Sequence, residues 1–407
     1  MNIALIFGGR SPEHEVSIIT AHQVNAALEE KHDVTPIYIT KEGTWLTGDK
    51  LSELKTFTEG NLPHAADYDK VCIEFDSYAK FSVIPKRTGL FSKKRELLVD
   101  VVFPAIHGVH GEDGTLQGLL ELMNIPYVGA RVIGSGVGMD KTMMKAILNE
   151  NGLPIVPYVP FTKQDWDSVS EDILKVIEEK ISYPMYVKPA ISGSSIGVSQ
   201  VQDVDTLKDA IELACRYCRR IIVEQGIGNG YEINCSVLGT HPPTASVCEQ
   251  PIASTEFLSF DDKYIHQDTT DPEDQSGDSS ETEIASGMAG AQREIPAPIS
   301  EELTLHIQNL ATLSFQVLDC AGLARIDFLV GEDEKVYVNE INTIPGSFSF
   351  YLWEPAGLSF PELVSKLVLL AKETHQEKNS LIYSYSTNLL SQAGASFSKL
   401  KTDLQTD

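Results

Sequence analysis

The sequence predicts an α/β protein of three units, and three observations carry that prediction. The chain opens strand–helix–strand, an alternation that suggests a parallel sheet. A second helix-and-strand unit starts near Gly138. The third contains an apolar hairpin, Leu323–Gly346 (LARIDFLVGEDEKVYVNEINTIPG), in which charged and amide residues recur on alternate positions. With 407 residues, 42% of them hydrophobic, the chain can build two or three domains with real cores. Boundaries are expected at 1–137, 138–223 and 224–378, followed by a polar tail, 379–407.

In order along the chain, Asn2–Phe7 reads as a buried strand, Gly8-Gly9 as a turn, Glu13 to about Leu28 as a helix, and Asp33–Thr40 as a strand. Glu74–Leu98 is irregular, with Lys-rich turns. Val101–Ile106 is a strand that enters the loop HGVHGEDG before a helix, Thr115–Met123. MDKTMMKAILNENG is a helix stopped at Gly152. Tyr186–Lys188, Gly197–Val201 and Ile221–Glu224 are strands around a helix near Val204–Arg216. Strand Ile233–Leu238, helix Glu301–Leu318, the hairpin and helix Phe360–Lys372 complete the pattern. Between them, Asp268–Glu283 holds seven carboxylates and no Lys or Arg, so it cannot bury a core; it is expected to be a mobile loop within a lid at about 255–297.

Net charge is −26, which makes nucleic acid and anionic membrane surfaces poor partners. No stretch is apolar enough for a membrane helix, and MNIALIF lacks the basic flank of a signal peptide. Six scattered cysteines are not a disulfide framework. Cys215 and Cys218 form one CxxC without a second pair, so packing is preferred over zinc. A cytoplasmic location fits these features.

The chemistry concentrates in the hairpin. If Val330 pairs with Lys335, Asp327 lies opposite Val338 and Arg325 opposite Glu340, so Val338, Glu340 and Asn342 share a face with Arg325 and Asp327. Two carboxylates and an amide are hard-oxygen ligands suited to Mg²⁺. A solvated Arg325–Glu340 salt bridge would account for the same residues. The turn VKPAISGSSIGV delivers Lys188 on a strand and then small residues, Gly193 to Gly197, whose N–H groups can approach a phosphate. Ser194 and Ser195 add hydroxyl donors, although the spacing is not that of a P-loop. Lys141 stands at a helix start, where anions are favoured, or is simply solvated. Glu224 ends a strand and Glu232 starts the next, where carboxylates can accept ribose hydroxyls. Glu13 caps a helix or binds an ammonium. His107 and His110 lie in the GEDG loop, where solvated or backbone-bonded histidines are common.

Taken together, GGRSPEHEVS, HGVHGEDGTLQG, MDK, VKPAISGSSIG, DDKY, ARIDF and NEINTIPG, in that order, resemble the D-alanine–D-alanine ligases of the ATP-grasp superfamily over roughly residues 1–375. The resemblance implies three α/β domains, the first Rossmann-like, with ATP in a cleft between the central and C-terminal ones. Lys141, Lys188 and Ser195 would face the phosphates, with Lys263 at the transferred one, and Glu224 and Glu232 the adenosine. Asp327, Glu340 and Asn342 would bind two Mg²⁺, for which Mn²⁺ could substitute. Glu13 would receive the amino group of the first D-alanine, beside His107. Ser194 would link Glu13 to Tyr264 in a triad, and Arg325 with the Gly346 N–H would hold the oxyanion. Tyr264 favours an amino acid as second substrate, because relatives that make D-alanyl-D-lactate commonly lack it. A cytoplasmic homodimer acting in peptidoglycan precursor synthesis is the implied setting.

The chain departs from the family pattern in three places. SFSFYLWEPAG after Gly346 is several residues short, leaving Ser349 as the nearest candidate for the second substrate's carboxylate. The segment between Tyr264 and Pro296 is longer and more acidic than usual, and one extra residue lies between Glu224 and Glu232. Two alternatives stand beside the main reading: the same mechanism with another second amino acid, and a nucleotide-binding homologue without activity.

Overall fold

The structure is a computed structural model and describes residues 1–58, 62–75, 78–86, 93–252, 293–390 and 393. Lys263, Tyr264, the acidic stretch Asp268–Glu283 and nearly all of the expected lid lie outside the described residues. Three sheets organise the rest.

The first is seven-stranded. It comprises β1 (Asn2–Gly8), β2 (Asp33–Ile39), β3 (Trp45–Thr47), β4 (Asp69–Phe75), β5 (Ala79–Ile84), β6 (Arg95–Leu97) and β7 (Val101–Pro104), in the order β6-β5-β4-β3-β2-β1-β7. The expected parallel pairing holds for β1 with β2 and with β7. From β2 outward to β6 the pairing is antiparallel, so the stretch read as irregular forms strands. The alternation of β1 supplies both faces. Ile3, Leu5 and Phe7 pack under α1 (His14–Leu28), while Ala4 and Ile6 face Leu116 and Leu120 of α2 (Thr115–Met123).

Helices α3 (Val132–Met139) and α4 (Lys141–Glu150) lead to the second sheet. Asp140 caps α4, accepting from the N–H groups of Thr142 (3.0 Å) and Met143 (3.2 Å). Strands β8 (Tyr158–Thr162), β9 (Met185–Pro189), β10 (Ser199–Val201) and β11 (Arg220–Gln225) run antiparallel in the order β10-β9-β11-β8. Their apolar face packs on α5 (Lys163–Lys180) and α6 (Val204–Ala214). β8 and α5 had no counterpart in the sequence reading.

The third sheet has the order β14-β13-β12-β15-β16: β12 (Tyr231–Gly239), β13 (Thr244–Pro251), β14 (Arg293–Glu294), β15 (Gly322–Val330) and β16 (Val336–Asn342). It is backed by α7 (Glu301–Val317) through Ile307 and Phe315. The last helix, α8 (Phe360–Asn379), runs further than expected. It returns to the first sheet, where Leu363, Leu367 and Val368 join Ile3, Leu5 and Phe7 in one core.

The hairpin register differs from the expected one. Val330 pairs with Val336, not Lys335, so five residues, Gly331–Lys335, make the turn, with Glu334 left-handed at φ +57°. A bulge at Asn339 then shifts the register again. Asp327 faces Glu340 instead of Val338, and Arg325 faces Asn342 instead of Glu340. The charged face keeps four of its five expected members. Val338 pairs with Phe328 and is buried in the apolar core.

Candidate active site

The second and third sheets enclose a cavity of about 430 Å³, bordered by Lys141, Lys188, Ser194, Ser195, Glu224 and Glu232, with Asn339 and Glu340 on the hairpin side. The bulge makes that last pair possible, since it leaves two successive residues partly exposed on one side of β16. Two small spaces of about 30 Å³ adjoin it. One is bordered by Glu13, Gly108, Glu112, Lys141, Glu340 and Asn342, and the other by Glu13, His107, Ser194, Arg325, Asn342 and Gly346.

Three lysines surround two carboxylates at the base of the large cavity. Lys188 Nζ lies 2.7 Å from Glu224 Oε2 and 3.4 Å from Asn339 Oδ1. Lys145 Nζ lies 3.2 Å from Glu224 Oε1, with no exposed surface on its side chain. Lys141 Nζ donates to the Ser192 carbonyl at 2.9 Å and sits 3.3 Å from Glu340 Oε2. Burial pushes the Glu224 carboxyl up, but the ammonium groups of Lys145 and Lys188 outweigh it and hold it down at about 2. Burial lowers the Lys145 ammonium, against the pull of Glu224. Lys188, though buried, is raised by Glu224. The group carries one more cation than anions, which suits a cleft that receives phosphate in a chain of strongly negative net charge.

On the hairpin, Arg325 grips Asp327 with two bonds, Nε to Oδ1 at 2.7 Å and Nη2 to Oδ2 at 2.8 Å. Burial works against the guanidinium charge, yet Asp327 raises Arg325 well above its ordinary value. Asn342 Nδ2 donates to Asp327 Oδ2 at 2.9 Å, which turns its Oδ1 to the other side of the amide. Asp327, Glu340 and Asn342 put carboxylate and amide oxygens on one face of the hairpin, the donor type a hard divalent cation takes.

Glu13 occupies the N-cap position of α1 without a side-chain capping bond, and it is buried. Ser194, in a left-handed conformation at φ +50°, donates its hydroxyl to Glu13 Oε1. Two glycines close over the same carboxylate. A Cβ on Gly108 would stand 2.3 Å from Glu13 Oε2, and one on Gly193 would stand 2.7 Å from it. His107 is buried with both ring nitrogens engaged, Nδ1 2.7 Å from the Ile344 carbonyl and Nε2 2.9 Å from Thr20 Oγ1. Desolvation lowers it to about 4, so it is neutral.

Ser349 lies in a left-handed turn, Ser347-Phe348-Ser349 (φ +52°, +51°, +48°), directly after Gly346. It is fully buried and borders none of the three spaces above. Lys145, Glu112 and Asn339 were missed by the sequence reading. Lys145 had a signal, one helical turn beyond Lys141 in MDKTMMK; Glu112 lay inside the quoted GEDG loop; Asn339 had none, because a bulge is not written in the pattern.

Two antiparallel sheets closing on a lysine-rich cavity, with a carboxylate-bearing hairpin along one wall, define an ATP-grasp architecture. The description "D-ala D-ala ligase N-terminus" matches residues 2–130, and "D-ala D-ala ligase C-terminus" matches residues 147–285 and 280–369. The chain belongs to the D-alanine–D-alanine ligase family. It is 39% identical over 388 residues to a D-alanine–D-alanine ligase of Bacillus cytotoxicus, covering 94% of this chain and 99% of that protein. It is 38% identical over 394 residues to the one of Geobacillus thermodenitrificans, with 94% and 98% covered. Among solved structures, the D-alanine-D-alanine ligase from Coxiella burnetii superposes with a TM-score of 0.74 at 31% identity, covering 93% of this chain and 96% of that one. The VanG D-Ala:D-Ser ligase from Enterococcus faecalis gives 0.73 at 31%, with 91% and 99% covered. No helix among the described residues is long and apolar enough to cross a membrane.

Proposed function

We propose that the protein joins two D-alanines at the expense of ATP, through an acyl phosphate, to supply a peptidoglycan precursor in the cytoplasm. The observation that carries this reading is the convergence of the Ser194–Glu13 pair, of Lys141 and Lys188, and of Glu340 and Asn342 on adjoining cavities, with Lys145 and Asp327 bonded directly behind them. Adenosine lies beside Glu224 and Glu232, and the phosphates lie toward Lys141, Lys188 and Ser195. Asp327, Glu340 and Asn342 would hold two Mg²⁺, or Mn²⁺. When bound, the ions neutralise charge on the γ-phosphoryl group. Residues 1–137, 138–223 and 224–378 act as the three domains, in a homodimer.

Glu13 takes the ammonium of the first D-alanine, in the space that His107 borders. The substrate carboxylate oxygen bonds to the γ-phosphorus while the bond to the β–γ bridging oxygen breaks, and ADP leaves. The amine of the second D-alanine then adds to the acyl carbon. Arg325, already locked through Nε and Nη2, offers its remaining N–H groups to the oxyanion together with the Gly346 N–H. Collapse breaks the acyl carbon–oxygen bond to phosphate, and the proton lost from the attacking nitrogen leaves with the phosphate as the amide forms. Ser194, with Tyr264, fixes Glu13, and Lys263 contacts the transferred phosphate; both roles of the outlying residues rest on the sequence resemblance.

The buried position of Ser349 favours keeping a second reading in which the second amine is another small amino acid, such as D-serine. Purified protein with ATP, Mg²⁺ and single or paired amino acids separates the two by phosphate release and product mass. D-Ala-D-Ala supports the first reading, and a mixed dipeptide alone selects the second. ATP binding with no turnover across the panel refutes both.

A further inference from the structure

The corner at Pro345-Gly346 is held on both sides by residues from the first 112 positions of the chain. On one side, Ile344 donates its N–H to Glu112 Oε2 at 2.8 Å, and the Gly108 N–H occupies Glu112 Oε1 at 2.9 Å. The Ile344 carbonyl can only accept, so the proton of the His107 ring sits on Nδ1, 2.7 Å away. Neutral His107 then accepts at Nε2 from the Thr20 hydroxyl at 2.9 Å. On the other side of the corner, the Ser347 N–H donates to Thr20 Oγ1 at 3.3 Å. The bonds form a nearly closed circuit: Gly108, Glu112, Ile344, His107, Thr20, Ser347. All five bridging contacts are buried or nearly so, where a hydrogen bond left unmade is costly.

The circuit brackets Gly346, while neither Glu112 nor Thr20 is among the residues assigned to phosphate, metal or oxyanion. The three residues after Gly346 are left-handed without being glycine, a conformation that must be imposed by surrounding contacts. We propose that Glu112, through the Ile344 N–H, and Thr20, through His107 and the Ser347 N–H, are positioning residues that aim the Gly346 N–H at the developing oxyanion. This rests on the ligase reading above. The lowered His107 and the raised Glu112 carboxyl, buried beside Glu13, agree with a circuit shut off from water.

The test compares wild type with Thr20→Val, Thr20→Ser and Glu112→Gln, measuring kcat and KM for D-alanine, Kd for a non-hydrolysable ATP analogue, and the Ki of a phosphinate dipeptide that mimics the tetrahedral adduct. Thr20→Val keeps the side-chain shape but loses the hydroxyl; Thr20→Ser restores it. The expected result is a kcat drop of about tenfold to a hundredfold in Thr20→Val and Glu112→Gln, with Ki weakened in parallel. Nucleotide Kd stays within twofold, and Thr20→Ser recovers most of the rate. Unchanged kcat and Ki in both Thr20→Val and Glu112→Gln overturn the proposal, as does equal impairment of Thr20→Ser and Thr20→Val. Loss of nucleotide binding in step with kcat also overturns it, because that marks a general structural defect. Should Glu112→Gln fail to fold, the Thr20 pair alone decides. A wild type that releases no phosphate with D-alanine overturns the ligase reading itself, which separates that failure from this one.

Discussion

His107 and Glu112 make opposite demands on folding as pH changes, and removing either exposes the other. His107 drops from 6.5 to about 4 in the folded protein, chiefly by desolvation. Between those values the unfolded chain binds a proton that the folded chain does not, so this stabilising contribution is complete above pH 6.5 and is lost as pH falls through about 4. Glu112 rises from 4.5 to about 7, by burial and then by the neighbouring Glu13 carboxylate. Here the folded chain holds the extra proton, so the contribution is complete below pH 4.5 and is lost as pH rises through about 7. Each slope is worth about 1.4 kcal/mol per pH unit. Over the shared window, from 4.5 to 6.5, the two slopes nearly cancel, each amounting to roughly 2–3 kcal/mol. Urea unfolding at intervals across that window, for wild type, His107→Asn and Glu112→Gln, reads the balance. Relative to wild type, His107→Asn should lose stability as pH rises, and Glu112→Gln should gain it. Three parallel curves would refute the reasoning, because all other titrating groups are common to the three proteins.

Three further outcomes are expected. Lys145→Met leaves Glu224 buried with one cation fewer, and unfolding free energy should fall by about 3–5 kcal/mol with a weaker nucleotide Kd; a loss under 1 kcal/mol in denaturant titration would contradict the pairing. Gly108→Ala places a Cβ 2.3 Å from Glu13 Oε2 at φ +71°, so KM for D-alanine should rise at least about tenfold while nucleotide Kd holds. Steady-state kinetics with an unchanged KM would remove Glu13 from the ammonium site. Glu340→Gln should abolish turnover with circular dichroism and thermal midpoint preserved, and a chelator should do the same reversibly to wild type. Near-normal rates in that variant would refute the metal assignment.

Regular elements with strong periodicity were legible in the sequence. β1, α1, α2 and β15 stand within a residue or so of their expected bounds, because alternation and caps are local properties. The hairpin face was legible for the same reason, but its register was not. A five-residue turn and the Asn339 bulge each add one residue, and together they restore the parity that a single shift would have broken. The strand–helix pair Tyr158–Lys180 escaped because Pro154, Pro157 and Pro160 punctuate its start and its helix is largely polar. Lys145 and Glu112 escaped for a different reason. Nothing in a one-dimensional pattern says that a charged residue will be buried, and their significance comes from Glu224 and Ile344, which stand 79 and 232 positions further along the chain.

The return of α8 to the first sheet sets a timetable for synthesis. Ile3, Leu5 and Phe7 leave the ribosome about 360 residues ahead of the partners that cover them, Leu363, Leu367 and Val368. At about 5–20 residues per second, the opening strand waits roughly 20–70 seconds for its final layer. A nascent chain stalled before residue 360 carries an unfinished apolar surface, which makes it a natural client for whatever shields exposed greasy faces at the exit tunnel. It also makes the amino-terminal third a poor candidate for expression by itself.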